Sequence, residues 1–368
     1  MRVVELPGVG ELVVGDCVEG MRLLGDCEVD AIVTDPPYGL GFMGKKWDAL
    51  PPGLDWAREC LRVLKPGGHL VAFGGQRTIH RLTCALEDAG FDIRDQLLWL
   101  QWQGFPKSLN LGKATRKEAR KRYASVEHLL GRAAVDRLVD EVAGRWDGWG
   151  TALKPAAEPA VLARRPLDGA YAANVLKHGV GGLNIDACRY PYGDRAWPGP
   201  QSEAKRWEAP RGGIWTTDSE KSAALIPSGQ GRFPANVYHC PKAATSERER
   251  GLEHLTKATP GELTGGRAEG SAGLDSPRAG AGRTARNGRA NTHPTVKPIA
   301  LMRWLVRLVT PPGGLVLDPF LGSGTTAIAA GLEGVRLVGF EVSDEYATIA
   351  AARVAGWSAD YPRVFSRA

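Results

Sequence analysis

Asp35-Pro36-Pro37-Tyr38 is the first stretch of this chain whose residue types and spacing could do chemistry. It follows directly on Val29-Asp30-Ala31-Ile32-Val33-Thr34, a β-branched run that reads as a buried strand. The tetrapeptide therefore falls at the carboxyl end of a strand, where open α/β sheets bind ligands. A ring-conjugated amine is a poor nucleophile because its lone pair is delocalised, so it needs hydrogen-bond acceptors rather than a covalent partner. The Asp35 carboxylate and a backbone carbonyl held by Pro36 and Pro37 can take both amine hydrogens and turn the lone pair outward. Tyr38 can stack on the ring. The bland alternative is a Pro-rich turn carrying a surface tyrosine.

A second stretch, Asp318-Pro319-Phe320-Leu321-Gly322-Ser323-Gly324-Thr325-Thr326, lies between an apolar strand and a helix. Gly322 and Gly324 permit a tight turn and close backbone approach, and the helix N-terminus at Thr325 and Thr326 offers free N–H groups to an anion. Glu341 ends the next strand, where an acidic side chain can hold the two hydroxyls of a ribose. Read alone, this half also satisfies a nicotinamide or flavin dinucleotide fingerprint. The two loops together decide otherwise, since a hydride-transfer enzyme has no use for an amine clamp beside its cofactor.

The elements needed to position these loops are legible. Residues 11–15 and 29–34 read as strands around an amphipathic stretch over 17–25, a βαβ unit. A helix over 55–64 stops at Lys65-Pro66-Gly67-Gly68, a buried strand follows over 69–73, a helix over 78–89 and a strand over 96–102. Regular α/β pattern returns near His293, with a helix over 299–309, a strand over 314–317, a helix over 325–332 and a strand over 335–340. The expected fold is α/β, one doubly wound parallel sheet assembled from both ends of the chain (1–103 and 292–368), with 104–291 inserted as a second module. Within that insert, residues 243–291 are rich in Gly, Ala, Arg, Ser and Thr and read as a mobile loop.

The order of these motifs resembles the β group of amino-methyltransferases, which act on adenine N6 or cytosine N4 in DNA. In that group the catalytic tetrapeptide comes first, a target-recognition region follows, and the cofactor motifs come last. His293-Pro294-Thr295-Val296-Lys297-Pro298 is similar to the group's His-Pro-Thr-x-Lys-Pro block, and Gly15-Asp16-Cys17 to its Gly-Asp element. Short pieces of the insert, including those beginning at Gly104, Trp149 and Gly231, look like prophage-type members. The resemblance implies a Rossmann-like sheet, S-adenosylmethionine as cofactor, and a flipped base held by Asp35, Pro36, Pro37 and Tyr38. It further implies a cofactor pocket of Asp16, Cys17, Asp35, Thr295, Lys297, Asp318, Phe320, Gly322, Ser323, Gly324, Thr325, Thr326 and Glu341. Asp in the first position of the tetrapeptide usually accompanies adenine in this group, with cytosine the alternative.

Composition agrees with such an enzyme. The 368 residues are 43% hydrophobic and 24% charged, enough for a sizeable core, which excludes a wholly disordered chain. The net charge of +6 favours an anionic partner, here double-stranded DNA. Lys113, Arg116, Lys117 and Arg120 recur at helical spacing as a basic stripe suited to phosphates, or equally a solvated face. Arg283, Arg286 and Arg289 read as linker, with a DNA groove as the alternative, and Trp146, Trp149, Trp197, Trp207 and Trp215 mostly as packing anchors of the insert, with a wedge into the gap left by a flipped base as the alternative for one of them. None of the six cysteines follows a proline or forms a Cys-x-x-Cys pair, which disfavours the cysteine route to cytosine C5. The histidines lack ligand spacing, so no metal is expected, and neither a membrane span nor a signal peptide is found; a cytoplasmic enzyme is expected. A homodimer is left open.

Overall fold

Alternation with a period of two decides how each central strand faces. The structure, a computed structural model, describes residues 1–41, 48–104, 106, 108–191, 231–263 and 288–362. In strand β3 (Val29–Thr34), Ala31 and Val33 enter one hydrophobic cluster and Ile32 the other. In β4 (Leu64–Phe73), Val71 and Phe73 join the first cluster while Leu70 and Ala72 join the second. Both faces are thus covered, which is why these strands read as continuous apolar runs.

The first of the two units, 1–101 with 157–368, carries a nine-stranded sheet among its described residues. Its order is β1 (Arg2–Leu6), β2 (Gly10–Val14), β9 (Arg336–Glu341), β8 (Leu315–Asp318), β3, β4, β6 (Ala157–Arg164), β5 (Asp92–Leu100) and β7 (Val237–His239). Helices α1 (Cys17–Met21), α2 (Leu54–Val63) and α3 (Ile79–Ala89) pack on one face. The late helices Ile299–Val309 (α10), Thr325–Glu333 (α11) and Asp344–Asp360 (α12) cover the other. This is the expected Rossmann-like arrangement built from both ends of the chain, with β8 beside β3 although nearly three hundred residues separate them in sequence.

The sheet is mixed rather than wholly parallel. β2, β9, β8, β3 and β4 run parallel, whereas β6 is antiparallel to both β4 and β5, and β1 is antiparallel to β2. The expected insert over 104–291 is corrected by the same observation. Pro159, Ala160, Val161, Leu162 and Ala163 form an apolar strand inside the sheet, between β4 and β5, and β7 extends its edge. The second compact unit is shorter, Trp102–Ala156. It pairs α4 (Leu111–Tyr123) with α6 (Arg132–Gly144), past the short helix α5 (Glu127–Leu130), around Ala119, Val135 and Val139.

The expectation of a mobile loop over 243–291 also changes where the residues are described. Leu252 and Ala290 are buried against Tyr346 and Ile349 of α12, and the Asn291 side chain donates to the Arg248 carbonyl at 2.9 Å. The buried Leu252, the partly buried Leu255, the small Ala290 and a few polar groups dock this stretch despite its polar composition. Residues 264–287, with Arg283 and Arg286, and Trp197, Trp207 and Trp215 lie outside the described residues.

Candidate active site

Two loops meet because β3 and β8 are adjacent and parallel, which brings their carboxyl ends together. The link is direct: Thr34, the last residue of β3, donates its hydroxyl to Asp318 Oδ1 at 2.6 Å. Phe320 N donates to the same oxygen at 3.0 Å. Asp318 is fully enclosed, and burial pushes its carboxyl up to about 6 against the hydrogen bonds from Thr326 and Thr34. It orders both loops, and its substitution would release the turn that starts each one.

Asp35 begins the loop after β3. Its Oδ1 accepts the Tyr38 hydroxyl at 2.8 Å and its Oδ2 meets Lys297 Nζ at 2.5 Å. The Asp35 side chain remains 18% exposed, so unused lone pairs of its two oxygens are reachable by a substrate donor. Burial raises the Asp35 carboxyl above its ordinary range, opposed by the charge and hydrogen bond of Lys297 and reinforced by Glu158. Asp48 shapes the loop, accepting the backbone N–H of Tyr38 at 2.6 Å and of Gly39 at 3.0 Å through one oxygen. Thr78 fixes the other side by donating to the Tyr38 carbonyl at 2.6 Å.

Lys297 is 6% exposed and lies over the rings of Phe73 (4.6 Å), Tyr38 (5.4 Å) and Trp99 (6.0 Å). Desolvated cation–π contacts of this kind hold a buried ammonium in place. Its ammonium rests on the tetrapeptide, at Asp35 Oδ2 and the Tyr38 hydroxyl. Thr295, from the same block, is exposed, and its N–H reaches His293 Nδ1 at 3.4 Å.

Glu158 was missed by sequence reasoning. It is 23% exposed and lies 3.5 Å from Lys297 Nζ, with the Tyr38 hydroxyl at the same 3.5 Å. Because β6 is antiparallel, its first residues lie at the carboxyl ends of its neighbours, with Glu158 opposite Trp99. The signal was available: an acidic residue followed by the apolar run Pro159 to Ala163.

The glycine loop opens on the same end of the sheet. Glu341 Oε2 accepts Gly322 N and Oε1 accepts Ser343 N, each at 2.9 Å, and burial raises this carboxyl. Each oxygen keeps a lone pair for a diol. Asp16 caps α1 by accepting from Val18 N and Glu19 N through one oxygen, leaving the other available. Gly15 N donates to Glu341 O at 2.9 Å, so these two acidic residues flank one crevice. Cys17 is buried, its thiol pushed up to about 12 mainly by desolvation, so it lines the crevice as an unreactive group. Phe320 packs against Trp56 with ring centroids 5.9 Å apart. Carboxylate acceptors for ribose hydroxyls, an aromatic wall and a buried glycine turn form a lining whose chemistry fits an adenosyl cofactor.

The glycines answer to the protein's own packing. Gly322 has φ +56°, and a Cβ there would approach His293 Nε2 to 2.8 Å; Gly324 has φ +80°, with Ala350 of α12 at 3.1 Å. Arg353, fully buried in α12, donates to Ser323 O at 2.5 Å and to Thr325 Oγ1 at 3.2 Å. Desolvation pulls this guanidinium down to about 10. Gly324→Val should therefore act first through the fold: a β-branched residue in the left-handed region pressed on α12 costs about 2–5 kcal/mol. Thermal unfolding should show a clear drop in Tm, with cofactor affinity falling as the loop shifts. An unchanged Tm would mean that α12 yields.

The basic stripe of the second unit is partly spoken for. Arg116 makes a bidentate pair with Asp147 at 2.5 and 2.7 Å and reaches Asp140 at 3.0 Å, while Arg120 pairs with Asp136. Lys113 and Lys117 are exposed.

Comparison with known proteins now has a geometry to stand on. Residues 29–352 match the DNA methylase family model of N6/N4 methyltransferases, and the chain belongs to that family. It is a DNA methyltransferase that uses S-adenosylmethionine as methyl donor. The chain is 24% identical to the type II methyltransferase M.HindIII of Haemophilus influenzae over 302 residues, covering 81% of this chain and 67% of that protein. It is 35% identical to M.ScaI of Streptomyces caespitosus over 78 residues, 21% of this chain and 26% of that protein. Among solved structures, the cytosine-N4-specific PvuII DNA methyltransferase aligns with TM-score 0.46 and 15% identity over 100% of this chain and 98% of that one. The M1.HpyAVI complex with S-adenosylmethionine aligns with TM-score 0.42 and 18% identity, over 93% and 98%.

Proposed function

We propose that the enzyme methylates the N6 amine of an adenine turned out of the DNA stack. The observation that supports amine methylation is the Asp35 carboxylate itself, held by Lys297 and Tyr38 and still reachable; the choice of adenine over cytosine rests on the resemblance, in which Asp at the first position of the tetrapeptide usually accompanies adenine. Asp35 and the adjacent backbone carbonyl take the two amine hydrogens, which frees the nitrogen lone pair and positions it. An amine paired inside a duplex cannot reach a half-buried carboxylate, so the base must leave the stack. When bound, S-adenosylmethionine supplies an electrophilic methyl group on a sulfonium sulfur. Glu341, Asp16, Phe320 and the turn at 322–326 would hold it on the neighbouring strand ends, and Glu341 and Asp16 retain free acceptor positions for the purpose.

Single-molecule sequencing of DNA from cells expressing the protein tests the reading. Adenine modified in one sequence context is expected; modified cytosine would transfer the same clamp to N4 and overturn the choice of base.

The unit Trp102–Ala156 is proposed to contribute DNA contacts through Lys113 and Lys117, whose charges are exposed while Arg116 and Arg120 hold α4 to its acidic neighbours. Replacing both lysines by alanine should lower the slope of log affinity against log salt by about 2, with cofactor affinity unmoved. An identical slope would mark this face as merely solvated.

A further inference from the structure

Glu158 is a second carboxylate in a site whose chemistry asks for one. Lys297 Nζ lies 2.5 Å from Asp35 and 3.5 Å from Glu158, so one ammonium is divided between two carboxylates. The Tyr38 hydroxyl divides in the same way, at 2.8 Å and 3.5 Å. We propose that Glu158 is a positioning residue that draws Lys297 and Tyr38 partly off Asp35, leaving the trio of Asp35, Glu158 and Lys297 with one net negative charge and Asp35 able to accept a proton.

The need for that charge follows from the reaction. As the amine nitrogen bonds to the methyl carbon, the carbon–sulfur electron pair returns to sulfur and the nitrogen must lose one proton, which Asp35 is placed to receive. An Asp35 fully neutralised by Lys297 would be a poor acceptor. With Glu158 competing for the ammonium, Asp35 keeps a higher proton affinity, in line with the direction Glu158 exerts on it. Among the described residues, Glu158 faces Asp35 and Tyr38 from the loop after β3, Lys297 from the block before α10, and Lys242, whose Nζ lies 3.8 Å away on the stretch after β7. Asp318, behind Thr34, adds a further negative charge near Asp35.

This inference rests on the reading that Asp35 takes the amine proton, and its test keeps the two apart. Glu158→Gln preserves shape and removes the charge. Methyl transfer to unmethylated plasmid DNA, counted without regard to the base marked, should show kcat lowered about tenfold. The acid limb of its pH profile should move down by about one unit. Cofactor affinity and Tm should stay near wild type, and Glu158→Asp, which restores the charge, should return the limb to its wild-type position. A limb that does not move in Glu158→Gln overturns the proposal, whatever happens to the rate, because a purely structural residue alters stability or KM without changing a titration. If Glu158→Gln does not fold, Lys242→Gln serves instead: removing a cation beside Glu158 should move the limb upward, and an unmoved limb again overturns the proposal. Wild-type turnover in Asp35→Asn would sink the amine-proton reading itself, a result distinct from either.

Discussion

Asp35→Ala is expected to reduce methyl transfer about 10³-fold while leaving cofactor affinity nearly unchanged. The carboxylate meets the amine, and the cofactor's proposed anchors, Glu341, Asp16 and Phe320, hang on β9, β2 and the loop after β8. Lys297 keeps Glu158 and three aromatic rings, so the pocket floor should persist. Single-turnover methyl transfer alongside calorimetric titration with S-adenosylmethionine measures the two quantities separately. Turnover close to wild type would remove Asp35 from the mechanism, and lost cofactor binding would recast it as a cofactor ligand.

Lys297→Met should act on the same carboxylate through charge. Burial raises the Asp35 carboxyl, and Lys297 is the main influence lowering it. Without the ammonium, two carboxylates share a desolvated site, and the Asp35 pKa climbs further. Activity requires the anion, so the acid limb should move to higher pH, by about 2 units, with activity falling at most about 10²-fold at pH values below the original limb and recovering as the solution is made more alkaline. This is opposite in sign to the shift expected for Glu158→Gln. A limb that stays in place, or moves down, would show that Lys297 does not govern Asp35.

How much of this was legible depends on the physical signal each residue carried. Asp35 to Tyr38 and Asp318 to Thr326 stood out because each is a rare composition directly after a buried apolar strand, and their meeting required only that β3 and β8 be neighbours, which the structure bears out. Glu158 was hidden by a boundary error. Its strand lies beyond the unit Trp102–Ala156, and a reading that ran the insert to residue 291 left no room for a strand returning between β4 and β5. Such a return is a long-range pairing, with Leu97 opposite Ala160, that local periodicity cannot announce. Arg353 was invisible for another reason: one arginine on a late helix looks like surface until packing shows it buried under the glycine loop. The stripe at 113–120 misled in the opposite way, because Asp136, Asp140 and Asp147, which claim two of its four cations, reach them only through the fold of that unit.

The central claim is that the Asp35 clamp activates an exocyclic amine of adenine. Enzymatic digestion of methylated DNA to nucleosides, followed by mass spectrometry, tests it most directly when wild-type protein and Asp35→Ala are compared on the same unmethylated DNA. N6-methyladenine with the wild type and none above background with the variant is the expected result. N4-methylcytosine or C5-methylcytosine as the product, or undiminished N6-methyladenine from the variant, would contradict it.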